Sequence, residues 1–450
     1  MLRKAAADCG VDPRAVTVSV VALDGLRMPE GGRMPVVRPL LAVNADRSVA
    51  PASTAKLVTT LAGLELLGAD WKWRTGFYAK ARPDAEGRVN GIWLRGGGDP
   101  TLVAEKFGLL VERMAQMGVR RIEGDLTVDR SYFDLPEGDP SAFDGRGSRP
   151  YNQLPDAAVA GYRSLSFEFV PDESSGTARI ISMPPLSGLD GRLAARFEGS
   201  LPLSCGPKTF SVVSLSQNEY LERLFRWYWE RDGRTWTGHV AEGRVPEGAL
   251  KLAERESDAL PVVTTLVNKW SNNLIARHIF LTLGTLRNAP DEADSGSRTA
   301  GGAFAPMERP RPGVDTDDAR AVLAGWLAEK GVPDGAVMID NGSGLSRTSR
   351  VTARAMTQIL AAGWLSPRMT EYAASRPVSG GDGTMRKRLE ATGRTHLKTG
   401  YLQDVRSIGG YVYAKNGRRY ALYASVHGER NMAGGIRFLD KVVEWTYLQK

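Results

Sequence analysis

A chain of 450 residues is too long for one ordinary hydrophobic core, which predicts two or three domains. Its 42% hydrophobic and 24% charged residues are those of a folded globular protein and exclude wholesale disorder. The net charge of +8 comes without any Lys/Arg run carrying interleaved aromatics, so it gives no support to a nucleic-acid partner and reads as arginine spread over a solvated surface. Two cysteines, Cys9 and Cys205, exclude a disulfide scaffold and a four-cysteine zinc site, and the sequence does not say whether they pair. The four histidines show no metal-ligand spacing. No apolar run reaches the roughly 18 residues of a membrane span, which leaves at most peripheral membrane association. Met1-Leu2-Arg3-Lys4 runs on to Asp8 without an apolar stretch, so either the protein is cytoplasmic or the chain starts after a removed export signal.

In chain order, β-branched Val16–Leu23 predicts a strand with Leu40–Val43 as its partner. Pro51 opens a helix-patterned segment, ASTAKLVTTLAGLELLG, that stops at Gly68. Trp71–Arg95 is strand-rich, Leu102–Gly118 helical and Gly124–Tyr132 strand-like. Leu165–Leu203 holds short strands broken by Pro and Gly clusters, as a small nested β unit would. Glu219–Glu230 is an aromatic-rich helix, and Asn288–Asp315, rich in Gly, Pro and Ser, is a surface loop. Near the end, His396–Lys398, Ile408–Ala414 and Tyr420–His427 predict three strands, the last two joined at Asn416-Gly417 by a type I′ hairpin turn. One sheet assembled from both chain ends follows, with the intervening residues as insertions and helices.

Ser53-Thr54-Ala55-Lys56 is the only Ser-x-x-Lys in the chain. On a helix, positions i and i+3 share a face, so the hydroxyl and the amine can meet. A lysine serves as base only with a lowered pKa, and a helix N-terminus or a second cation would lower it. Alone the motif is weak. Two further elements strengthen it. Lys398-Thr399-Gly400 lies on a predicted strand, where a cation and a hydroxyl can hold a substrate carboxylate and the glycine admits a backbone. Ser271-Asn272-Asn273 opens the helical stretch NLIARHIFLTLG, its serine suited to relaying a proton and Asn273 to holding a substrate amide. Ser216-Gln217-Asn218 fits the same Ser-x-Asn pattern, but its surroundings match less well.

These three elements, in this order, form the signature of penicillin-binding proteins and serine β-lactamases. Leu94–Leu102, Gly124–Phe133, Pro150–Ala157, Asn341–Arg347 and Gly380–Leu389 further resemble segments of the class C low-molecular-mass penicillin-binding proteins, a D-alanyl-D-alanine carboxypeptidase/endopeptidase family. The 218 positions from Ser53 to Ser271 suit the two-domain insertion of that family. The resemblance implies an α+β transpeptidase fold, an antiparallel sheet with helices. It implies a discontinuous catalytic domain at 1–72 and 250–450, an inserted domain at 73–165 and 210–249, and a nested β domain at 166–209.

It also implies roles. Ser53 is the nucleophile, Lys56 its base, and Ser271 with Lys398 the proton path to the leaving amine. Asn273 holds the substrate amide, Lys398 and Thr399 the terminal carboxylate, and Gly400 lets the substrate lie against the strand. The backbone N–H groups of Ser53 and Tyr401 form an oxyanion hole. Tyr401 departs from the pattern, since a small residue is common there. Arg347 and Asp144 are candidates for a zwitterionic diaminopimelate end, against the alternative of ordinary surface charges. No metal or cofactor is required, peptidoglycan peptides are the substrates, and β-lactams acylate Ser53. The oligomeric state is not implied. The implied place of work is periplasmic or otherwise exported. Asp99, Asp129 and Asp382 read as turn and capping residues. Rival readings are a β-lactamase or esterase on the same fold, and a vestigial peptidoglycan-binding scaffold.

Overall fold

Both ends of the chain meet in one five-stranded antiparallel sheet. Its order is Thr395–Leu402, Val405–Tyr413, Arg419–His427, Val16–Ala22, Leu41–Val43. In this computed structural model the described residues are 2–28, 34–188, 197–287, 313–389, 393 and 395–449. They divide into two compact units, 1–71 with 258–450, and 72–257.

In the first unit, the two central strands are buried along nearly their whole length, and so read as apolar runs rather than as alternation. One face packs on the helices Leu2–Asp8 and Met432–Tyr447 through Val18, Val20, Ile408, Leu422, Phe438 and Leu439. The helix Ala353–Leu365 packs on the same strands, and Ala55–Leu66 packs against Leu260–Trp270 and Asn273–Leu283. The hairpin at Asn416-Gly417 closes differently from the expected type I′ turn. Ala414 donates to Arg418, Gly417 donates to Ala414, and only Gly417 has a positive φ (85°). That is a three-residue loop, a turn followed by one left-handed glycine. The loop expected at Asn288–Asp315 lies outside the described residues from 288 to 312. Its last residue, Asp315, caps the helix Thr316–Glu329 in a reciprocal capping box with Asp318.

The second unit holds a mixed sheet ordered Val240–Glu242, Arg121–Asp129, Arg88–Arg95, Arg74–Ala79, Leu250–Glu256. The helices Ala104–Gln116 and Gln217–Glu230 contribute Phe107, Phe225 and Trp229 to its core. Residues 250–257, expected with the catalytic domain, fall here instead. Leu250–Glu256 pairs antiparallel with Arg74–Ala79, and the chain changes unit at 258. A three-stranded sheet of Thr177–Met183, Leu165–Asp172 and Lys208–Val212 stands where the nested β unit was expected. Cys9 is a buried free thiol and Cys205 an exposed one.

Candidate active site

Ser53 sits in a single 3-10 turn, Ala52–Thr54, that runs directly into the helix Ala55–Leu66. The turn is held from below. Thr54 Oγ1 and Ser407 Oγ both donate to the Pro51 carbonyl, at 2.6 and 2.7 Å. Ala52 takes a left-handed φ of 50°, which costs a non-glycine residue strain. Two glycines make room for it. A Cβ on Gly344 would lie 1.8 Å from the Ala52 carbonyl oxygen, and one on Gly400 would meet Ser407 Oγ at 2.1 Å and the Pro51 carbonyl oxygen at 2.9 Å.

Three residues on from Ser53, Lys56 is fully buried. Its ammonium position donates to Ser53 Oγ (2.9 Å), Asn273 Oδ1 (2.7 Å) and the Ser343 carbonyl (2.5 Å). All three contacts are neutral acceptors. Burial pushes its pKa well below the ordinary lysine value, and the charges of Lys398 and Arg277 push the same way.

The Ser271-Asn272-Asn273 segment divides its work by backbone geometry. Ser271 ends the helix Leu260–Trp270 in a left-handed conformation (φ 59°, ψ 35°). Asn272 caps the next helix by accepting from the Ile275 N–H at 3.0 Å. Asn273 then starts that helix with its oxygen on Lys56. Ser271 Oγ meets the third element, where Lys398 Nζ donates to it at 2.9 Å and to the Thr399 carbonyl at 2.8 Å. Lys398 is also fully buried, and burial lowers its pKa to about 7. Thr399 Oγ1 donates to Thr384 Oγ1 (2.8 Å), and Tyr401 is exposed. Two serine–lysine pairs therefore stand here, each with a buried lysine whose pKa is lowered, that of Lys398 to about 7.

The alternative second motif has a plain structural duty. Ser216 caps the helix Gln217–Glu230 by accepting from the Glu219 N–H, and Asn218 Oδ1 accepts from Arg130. Both belong to the second unit. Asp144 lies in that unit too. It is an exposed carboxylate accepting from Tyr151, Asn152 and the Arg146 N–H. Desolvation pulls its pKa up, but those hydrogen bonds together hold it below the ordinary value. Arg347 is exposed in the first unit. Asp99 and Asp129 accept from the backbone two residues on, and Asp382 accepts from the Val378 N–H and pairs with Lys269.

Sequence reasoning missed the part played by the loop 340–346. Its Gly342 carbonyl accepts from Thr59 (2.7 Å) and its Ser343 carbonyl from Lys56, which fixes the helix Ala55–Leu66 along one turn. In the sequence the segment NGSGLSR stands out only by its resemblance to the family. Its signal was the glycine pair, since Gly342 and Gly344 both need positive φ (75° and 77°). Arg277, one helical turn beyond Asn273, was missed entirely.

The model of the D-Ala-D-Ala carboxypeptidase 3 (S13) family matches residues 36–445. The D-alanyl-D-alanine carboxypeptidase of Actinomadura sp. strain R39 is 28% identical over 410 residues, covering 82% of this chain and 71% of that protein. The carboxypeptidase DacB of Haemophilus influenzae is 21% identical, covering 86% of this chain and 82% of that one. The crystal structure of penicillin-binding protein 4 from the same organism superposes with a TM-score of 0.71 at 18% identity, covering 100% of this chain and 99% of that one. The fold is thus the penicillin-binding fold read from the sequence. The chain belongs to the D-Ala-D-Ala carboxypeptidase 3 (S13) family and is a serine-type hydrolase of that family.

Proposed function

We propose that this hydrolase cleaves the terminal D-alanyl-D-alanine bond of peptidoglycan peptides through an acyl-enzyme on Ser53. The observation that carries the reading is the buried Lys56, its amine 2.9 Å from Ser53 Oγ and its pKa depressed by burial and neighbouring cations. A neutral lysine at that distance can take the hydroxyl proton as Oγ attacks the penultimate D-alanine carbonyl. The N–H groups of Ser53 and Tyr401 receive the oxyanion. The proton reaches the departing D-alanine nitrogen through Ser271, which Lys398 holds. Water then attacks the ester, and Ser53 is restored.

Lys398 and Thr399 take the terminal carboxylate, Gly400 lets the peptide lie along the strand, and Asn273 holds its amide. Arg347 is assigned to the zwitterionic diaminopimelate end. The β-lactams present the same carbonyl to Ser53 and act as inhibitors. Because that substrate lies outside the cytoplasm, the protein is assigned to the periplasm or the cell exterior. The three-stranded sheet around 165–212 is assigned as a domain of its own.

Treatment with a fluorescent penicillin, followed by peptide mapping, should place one adduct on Ser53. An adduct elsewhere, or none on folded protein, overturns the reading. Penicillin turnover faster than peptide cleavage would instead mark a β-lactamase.

A further inference from the structure

Tyr401 follows Lys398-Thr399-Gly400 on the strand Thr395–Leu402, the edge of its sheet among the described residues. A small residue there would leave that face of the strand bare. Tyr401 instead projects a ring that is 66% exposed yet is held in place. Its cross-strand partner is Arg406, whose guanidinium carbon lies 3.6 Å from the ring centroid. Arg406 is itself fixed. It is 8% exposed, donates to the Leu402 and Val405 carbonyls, and its stem lies where a Cβ on Gly435 of the C-terminal helix would meet it at 3.1 Å. An exposed tyrosine normally loses entropy on being ordered. Here a buried cation beneath one face offsets that loss.

Thr399 and Tyr401 are two positions apart on a strand, so their side chains leave the same face, about 7 Å from each other. If the scissile carbonyl oxygen meets the Tyr401 N–H and the terminal carboxylate meets Thr399, the leaving residue spans that interval. Its own side chain then passes beside the Tyr401 ring. A free tyrosine would swing aside for a large group, whereas one fixed by Arg406 does not.

We infer that Tyr401, locked by Arg406, is a specificity-determining residue that walls the leaving-residue subsite and favours a small leaving residue such as D-alanine. The inference rests on the reading of Ser53 and Lys398 proposed above, and deepens it. Arg406 acts through Tyr401 and is a positioning residue.

The test uses two peptides identical up to the scissile bond, one releasing D-alanine and the other D-norleucine, with benzylpenicillin acylation of Ser53 measured in parallel. The native protein should prefer D-alanine. In Tyr401→Ala the ratio of the two kcat/KM values should fall by about tenfold or more, the scale on which pockets discriminate by size. Arg406→Met keeps the stem and removes the cation. It should lower the same ratio severalfold, with kcat/KM for the D-alanine peptide close to native. An unchanged ratio in Tyr401→Ala, with Ser53 still acylated by penicillin, overturns the inference and leaves the proposed function standing. Absence of acylation in the native protein overturns the proposed function, and the inference falls with it.

Discussion

Replacing Lys398 by methionine should stabilise the protein while removing its activity. Lys398 is fully buried, and its pKa falls from 10.5 to about 7. At 1.36 kcal/mol per pKa unit, that fall is about 5 kcal/mol spent holding an amine where water cannot reach it. Methionine is nearly as long and apolar. It forfeits the hydrogen bonds to Ser271 Oγ and the Thr399 carbonyl, about 1 kcal/mol each. The balance is a gain of about 2–3 kcal/mol near pH 7, and each kcal/mol moves the midpoint of a unit this size by about 2–4 °C.

The sign with pH follows from the lowered folded-state value. Between about 7 and 10.5 the unfolded chain binds the proton and the folded one does not, so native stability rises with pH across that window. The variant lacks this dependence. Its advantage should therefore shrink, with the pH-dependent part falling from about 4 kcal/mol at pH 7 to about 2 at pH 9. Urea unfolding of both proteins across this range reads it directly. A variant less stable than native at pH 7, or an advantage that does not change with pH, refutes the reasoning.

Lys398→Arg should abolish the alkaline decline in kcat/KM that begins near pH 7 as Lys398 loses its charge, because arginine keeps its proton; a pH–rate profile checks this. Lys56→Met should slow penicillin acylation by orders of magnitude without unfolding the chain, as stopped-flow and thermal melts will show, since the three groups it contacts are neutral. Ser271→Ala should slow acylation strongly, whereas Ser216→Ala should cost about 1 kcal/mol of stability through its lost cap and leave acylation rates unchanged. Gly344→Ala should reduce acylation, measured by labelling of folded protein, because its Cβ displaces the Ala52 carbonyl and with it the Ser53 turn.

The parts of the site that were legible in the sequence are those written in local spacing. Ser53 and Lys56 lie on one helix face, and Lys398-Thr399-Gly400 reads along one strand, so each motif carries its own geometry. Neighbouring residues alone favoured Ser271 over Ser216 in the sequence; in the structure Ser216 caps a helix, while Ser271 is left-handed beside Lys398. The support for Lys56 from the Ser343 carbonyl was not legible. A backbone oxygen carries no residue identity, and the contact crosses 287 positions. The unit boundary was misplaced because LKLAERE, at Leu250–Glu256, has too much charge to read as a strand. It becomes one by pairing with Arg74–Ala79. The turn at Gly417 shows the same limit, since Asn-Gly marks a hairpin but not the length of its loop.

Val16 pairs with Val426, and the strand Arg419–His427 lies between Val16–Ala22 and Val405–Tyr413. Ribosomes add about 5–20 residues per second, so the first strand is made roughly 20–80 s before its partner. Residues 72–257 form a contiguous stretch and can fold in that interval. The sheet cannot close, and Lys398 cannot reach Ser271, until the strand ending at His427 is made. A chain released early would carry Ser53 and Lys56 but not the finished arrangement around them. The order of synthesis thus withholds the finished site until the strand ending at His427 has been made, however early residues 72–257 fold.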